Sequence, residues 1–140
     1  MTPSVSEIDQ LTERIIRCAI EVHRTLGPGL LESVYRGCMI IELRGGQLRV
    51  ESERHVPLEY KGQHINGGLK LDLLVEGCVV VELKAVDHIH PIHLAQVITY
   101  LKLTGCPAGL LMNFNSTTLK AGLRRLAHPD RYGKKGLLTS

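Results

Sequence analysis

The sequence predicts an α/β domain, a β-sheet with helices on its faces, and three observations carry that prediction. Apolar residues recur at helical spacing between Ile8 and Arg44 and again after Pro91, which marks helices. Between Gln47 and Ala85 the pattern changes to a period of two, with turn residues between segments, which marks strands. Residues 107–114 (P-A-G-L-L-M-N-F) then form a short continuous apolar run, as a strand buried on both faces does. The chain has 140 residues and is 44% hydrophobic, which suits one globular domain and excludes a disordered chain. The expected domain covers residues 1–127, with a loose basic tail over 128–140.

Ser6 is the expected N-cap of the first helix. Ile8, Leu11, Ile15, Ala19, Val22 and Leu26 form its apolar face, and Gly27-Pro28-Gly29 stops it. A second helix over 31–44 carries Leu31, Val34, Cys38 and Ile41 on one face and ends at Gly45-Gly46. Strands follow over 47–53 and 55–60, then a turn at Lys61-Gly62, then strands over 68–75 and 78–85. The helix after Pro91 has Leu94, Val97, Ile98 and Leu101 on one face and closes at Gly105. After the apolar strand, Ser116 is expected to cap a last helix bearing Leu119, Leu123 and Leu126. The expected order is α-α-β-β-β-β-α-β-α. With no G-x-G-x-x-G and no P-loop, a doubly wound nucleotide-binding fold is excluded.

Composition narrows the function classes. No apolar run approaches the ~18–20 residues that span a bilayer, so no membrane association is expected. The first residues lack a basic and an apolar region, so no secretory signal is read and a cytoplasmic location is expected. Cys18, Cys38, Cys78 and Cys106 are widely and irregularly spaced, which argues against a zinc ribbon or a disulfide framework. A formal net charge of +3 is too small to identify a nucleic-acid binder by itself. Arg124, Arg125, Arg131, Lys134 and Lys135 cluster near the end, as a solvated surface or a phosphate-binding patch would.

The chemistry concentrates in D-L-L-V-E-G-C-V-V-V-E-L-K, from Asp72 to Lys84. Charged residues rarely enter an apolar sheet without a partner or a metal. Asp72, Glu82 and Lys84 together suit a divalent cation with an ammonium group beside it, and so phosphodiester hydrolysis. The turn decides whether the acids share a face. A two-residue turn at Glu76-Gly77 pairs Asp72 with Val81 and puts Glu82 on the wrong side. A three-residue loop, Val75-Glu76-Gly77, pairs Asp72 with Val80 and makes Glu82 its same-face diagonal neighbour. Two carboxylates so placed can lean onto one Mg²⁺ or Mn²⁺, with the Leu83 carbonyl as a third ligand. Lys84 would orient the attacking water or offset charge on the phosphate oxygens. The competing reading is a structural Asp–Lys or Glu–Lys pair at a strand end. His88, His90 and His93 form H-x-H-x-x-H, but Pro91 interrupts it, which argues against zinc.

Two more motifs bear on the choice. Residues 29–35 (G-L-L-E-S-V-Y) match G-x-x-E-x-x-Y, and residues 96–100 (Q-V-I-T-Y) match Q-x-x-x-Y. Glu32 and Tyr35 share a helix face, with Tyr35 expected to pack. Gln96 and Tyr100 also share a face, which points at the site or is solvated. With Asp72 and Glu82-Leu83-Lys84 in this order, the chain from about Ile8 to Leu126 resembles the GxxExxY protein family, grouped with the PD-(D/E)xK nuclease superfamily. The resemblance implies a restriction-endonuclease-like core, a mixed central β-sheet flanked by α-helices. It implies that Asp72 and Glu82 are metal-binding acids and Lys84 the catalytic lysine. It implies that Glu32 is the extra acid of exonuclease-like branches, and that Gln96 and Tyr100 line the active site. Leu71 stands where the superfamily's name has proline.

The expectation is therefore a Mg²⁺- or Mn²⁺-dependent nuclease acting on nucleic acid, DNA ahead of RNA, with a homodimer expected to serve two strands. The alternative is a non-catalytic nucleic-acid-binding or protein-interaction domain on the same fold. The intact Asp72, Glu82 and Lys84 argue against it.

Overall fold

The computed structural model describes residues 3–130, so most of the expected tail, with Arg131, Lys134 and Lys135, lies outside the described residues. Helix α1 (Val5–Leu26) starts at Ser4, not Ser6. The Ser4 hydroxyl accepts from the Glu7 N–H at 3.1 Å, and the Glu7 carboxylate accepts from the Ser4 N–H at 3.0 Å. This reciprocal box needs a glutamate three residues after the cap, a spacing that Ser4 has and Ser6 lacks.

Helix α2 (Glu32–Gly45) buries Tyr35, Met39 and Leu43. The expected face is corrected, because Leu31, Val34 and Ile41 are exposed. Apolar residues lie all round this helix, and Tyr35 decides its rotation. The Tyr35 ring stacks on Phe114 at 4.7 Å between centroids. Its hydroxyl donates to the Gly27 carbonyl at 2.6 Å and accepts from the Leu30 N–H at 3.2 Å. The G-P-G link between the helices is thereby tied to the core, and Glu32 is set at the start of α2.

The sheet has five strands in the order β1-β2-β3-β4-β5, namely β1 (Val50–Tyr60), β2 (Gln63–Val75), β3 (Val79–Lys84), β4 (Ala108–Asn113) and β5 (Leu123–Ala127). β3 and β4 are parallel, joined across helix α3 (Pro91–Thr104), and the other pairs are antiparallel. This is a mixed sheet, as expected. Helices α1 and α2 cover one face around Leu73, Val75, Val81, Leu83 and Met112. Helix α3 covers the other, around Val80, Val97, Tyr100, Leu101 and Leu111. Gly105, in the left-handed conformation at φ +75°, ends α3 as expected.

Two elements differ from expectation. The first two expected strands are one strand, β1, with Glu53 at φ +51° between its halves. The expected last helix is a 3₁₀ turn (Lys120–Gly122) followed by β5. Leu123 and Leu126 pair with β4 opposite Met112 and Gly109, so sheet pairing overrides the helical spacing. Just after β5, the His128 N–H donates to the Pro107 carbonyl at 2.9 Å.

Candidate active site

The β2–β3 connection has an odd length, as the site requires, but one residue later than expected. Val75 pairs with Val79 across Glu76-Gly77-Cys78, and the ladder runs back only to Leu73 opposite Val81. The register brings Asp72 opposite Glu82 rather than diagonal to it. Beyond this point the strands diverge. β2 continues with β1, and β3 continues with β4 to Lys84 opposite Asn113. The β1–β2 ladder also skips Asp72, passing from Ser52–Leu73 to Arg54–Leu71 around the left-handed Glu53.

Asp72 therefore sits at a fork where neither neighbouring strand pairs with it. Buried backbone donors need partners, and the acids supply them. The Leu83 N–H donates to Asp72 Oδ2 at 2.8 Å, and the Asp72 N–H donates to Glu82 Oε1 at 3.4 Å. The two carboxylates meet in the fork instead of projecting from opposite sides of the sheet. In an extended strand the N–H and C=O of one residue point to the same edge. The Leu83 carbonyl thus faces the fork too, while the neighbouring Lys84 carbonyl accepts from Phe114 of the β4 end.

Four more side chains surround the pair. Lys84 Nζ lies 3.8 Å from Glu82 Oε2. Arg36, one turn after Glu32 on α2, lies 3.8 Å from Asp72 Oδ1 and 3.4 Å from Glu53 Oε1. Lys70 closes the chain of ions by meeting Glu53 at 3.0 Å. Arg36 and Glu53 escaped the sequence reading, though the four-residue spacing from Glu32 placed Arg36 on the same helix face.

Electrostatics place the remaining expected residues. Glu82 is only 5% exposed. Burial, then the negative charge of Asp72, pushes its carboxyl from 4.5 up to about 8, against the pull of Lys84. At 3.8 Å the ammonium is too distant to outweigh desolvation plus a second carboxylate. Burial and then Asp72 also raise Glu32, at the start of α2, while Lys84 and Arg36 lower it. Tyr100 is buried among the apolar residues under α3, and its hydroxyl is raised by burial and then by Glu82 and Asp72. His93 is lowered by desolvation and then by Lys84 and His90, which places it on the Lys84 side. Gln96 is exposed one turn before Tyr100, so this pair splits between surface and core rather than sharing an environment.

The expected ligands are all oxygen donors: the carboxylates of Glu32, Asp72 and Glu82, with the Leu83 carbonyl. Hard oxygen donors suit Mg²⁺ or Mn²⁺. Among the described residues, no group of three or more His, Cys, Asp or Glu side chains is gathered closely enough to hold a metal ion. Leu83, Lys84 and Arg36 engage the acids. The acids thus fit a divalent cation chemically. Among the described residues, no helix is long and apolar enough to cross a membrane.

Comparison with known proteins adds one result. A family model described as the PD-(D/E)XK nuclease superfamily matches residues 9–126. No curated protein and no solved structure gives a significant match.

Proposed function

The chain belongs to the PD-(D/E)XK nuclease superfamily, and from that premise we propose that it is a Mg²⁺- or Mn²⁺-dependent nuclease hydrolysing phosphodiester bonds of DNA or RNA. The observation that carries this reading is the meeting of Asp72 and Glu82 at the β2–β3 fork, with Lys84 beside them. In this reading Asp72, Glu82 and the Leu83 carbonyl hold the cation, with Glu32 reaching it from α2. When bound, the cation supplies Lewis acidity toward the scissile phosphate and the attacking water. Holding the cation would require Glu82 to release to solvent the proton that burial and Asp72 favour. Lys84 turns its ammonium from Glu82 to the incoming water or to the charge building on the phosphate oxygens. Arg36 keeps Glu53 as a partner when Asp72 turns to the cation. In this reading the buried Tyr100 shields Glu82 from water and the exposed Gln96 meets the substrate.

The finer placing among GxxExxY proteins belongs to the same reading, supported by the two motifs around Glu32 and Tyr100. A cytoplasmic setting also belongs to it, supported by the scattered spacing of the four cysteines. The test is a cleavage assay on mixed single- and double-stranded DNA and RNA, with Mn²⁺ and with EDTA. Product is expected with Mn²⁺ alone, and none from Glu82→Ala or Lys84→Ala. No cation-dependent product, or undiminished cleavage by both variants, refutes the reading.

A further inference from the structure

Past the fork, β1 and β2 leave the body of the protein as a two-stranded arm. Its strands pair from Arg54–Leu71 out to Tyr60–Gln63, and the turn is Lys61-Gly62. Seven residue steps separate Glu53 from Tyr60, so the tip reaches about 23 Å from the fork at ~3.3 Å per residue. A free two-stranded hairpin is marginally stable in water, yet this one has an apolar face. Register puts Val56, Leu58, Tyr60, Ile65, Leu69 and Leu71 on the α3 side. Helix α3 covers the inner end, where Val56 and Leu71 are buried. The outer end is open, with Tyr60 63% and Ile65 40% exposed.

Three features say what covers it. First, the arm begins at Asp72, so whatever lies along it enters the fork. Second, from Arg54 to Leu71 the arm carries Arg54, Lys61 and Lys70 against one carboxylate, Glu59. Arg54 and Lys70 pair with Glu51 and Glu53 at the base, whereas at the tip Lys61 holds its ammonium over the Tyr60 ring, 5.4 Å from the centroid. Such a cation–π pair at an exposed tip offers its ammonium to a phosphate and the other face of the ring to a base. Third, a bulge midway along the arm encloses a concavity of about 320 Å³. Val56 and Ile65 of the stripe line it together with His55, Pro57, His64 and the Gly67-Gly68 backbone. Gly67 has φ +73°, and a Cβ on Gly68 would lie 2.9 Å from the Val56 carbonyl, so both positions need glycine. Apolar side chains with imidazole and amide groups beside them suit a nucleobase. A base stacked in a duplex cannot reach such walls without leaving the stack.

We propose that the β1–β2 arm is a single-strand guide, stacking unpaired bases on Tyr60 and Ile65 and feeding the strand to the fork at Asp72. The inference rests on the nuclease reading for the identity of the polyanion, and is tested apart from cleavage. Binding of a fluorescein-labelled 20-nucleotide single strand and of the matching blunt duplex is followed by anisotropy in EDTA. The wild type is expected to bind the single strand the more tightly. Tyr60→Ser is expected to weaken that binding about tenfold and Ile65→Ser by a smaller factor. Tyr60→Phe, which keeps the stacking ring, retains it. Ile41→Ser, an exposed apolar residue on the far side of α2, serves as the control and binds as wild type. Equal affinity for duplex and single strand overturns the proposal, as does wild-type binding by both serine variants. So does light scattering that shows a dimer dissolved by those two substitutions while oligonucleotide binding persists, because the stripe is then a contact between copies. Arm-dependent binding without Mn²⁺-dependent cleavage would remove the nuclease reading and leave the arm. Cleavage indifferent to the arm would do the reverse.

Discussion

Replacing Glu82 by glutamine separates the two roles of that carboxyl. In the folded protein burial and Asp72 hold its pKa at about 8, against 4.5 for an ordinary glutamate. The folded state therefore binds a proton more tightly than the unfolded state. Stability from this group is fully present below about pH 4.5 and is lost as pH rises through about 8. At ~1.36 kcal/mol per pKa unit the whole loss comes to roughly 2–5 kcal/mol, the lower figure allowing for relaxation and water entry around the fork. Glutamine is neutral at every pH and keeps the shape. In EDTA, Glu82→Gln should nearly match the wild type at pH 4 and exceed it by roughly 2–5 kcal/mol at pH 9. Urea denaturation at steps between these pH values reads the difference directly. Adding Mn²⁺ at pH 9 should raise the wild-type midpoint and leave that of Glu82→Gln nearly unmoved. Parallel stability curves for the two proteins across this range would refute the assignment of a buried, proton-holding carboxyl. A variant that gains as much from Mn²⁺ as the wild type would remove Glu82 from the cation site.

Three further substitutions test neighbouring parts of the structure. Lys84→Met removes an ammonium 3.8 Å from Glu82, so Mn²⁺ affinity by calorimetry should hold or tighten while cleavage falls about a hundredfold or more. Tyr35→Phe leaves the Gly27 carbonyl and the Leu30 N–H without the hydroxyl, and should cost about 1–2 kcal/mol in urea denaturation with the fold intact. Gly109→Ala puts a Cβ 2.7 Å from a Val97 methyl, so α3 must shift on β4 and thermal unfolding should show a loss of about 1–3 kcal/mol.

The parts of the fold that were legible are those with one dominant local signal. The Leu94, Val97, Ile98 and Leu101 face with Gly105 behind it reads as a helix and is one. The apolar run that became β4 has no polar side to mislead, being buried along its length. Ambiguity entered where two patterns overlap. Leu119, Leu123 and Leu126 fit a helix, and only the β4 edge waiting beside them makes Leu123–Ala127 a strand. Helix α2 carries apolar residues on several sides, so periodicity alone could not choose the face that Tyr35 sets by stacking on Phe114. The acids of the site were legible because charges in an apolar sheet are costly. Their exact opposition was not, because it depends on a hairpin loop placed one residue later and on the left-handed Glu53. Arg36 was hidden for a different reason. Its role depends on Glu53 and Asp72 coming to it from another element, a contact that no local spacing encodes.

The most direct test of the fork is a crystal soaked in Mn²⁺ and measured for anomalous scattering at the manganese edge. One ordered peak is expected between Asp72 and Glu82, within about 2.0–2.4 Å of an oxygen from each, with Leu83 contributing its carbonyl. A fully occupied ion elsewhere, or acids that keep their present bonds to Leu83 and Lys84 at saturating Mn²⁺, would contradict it.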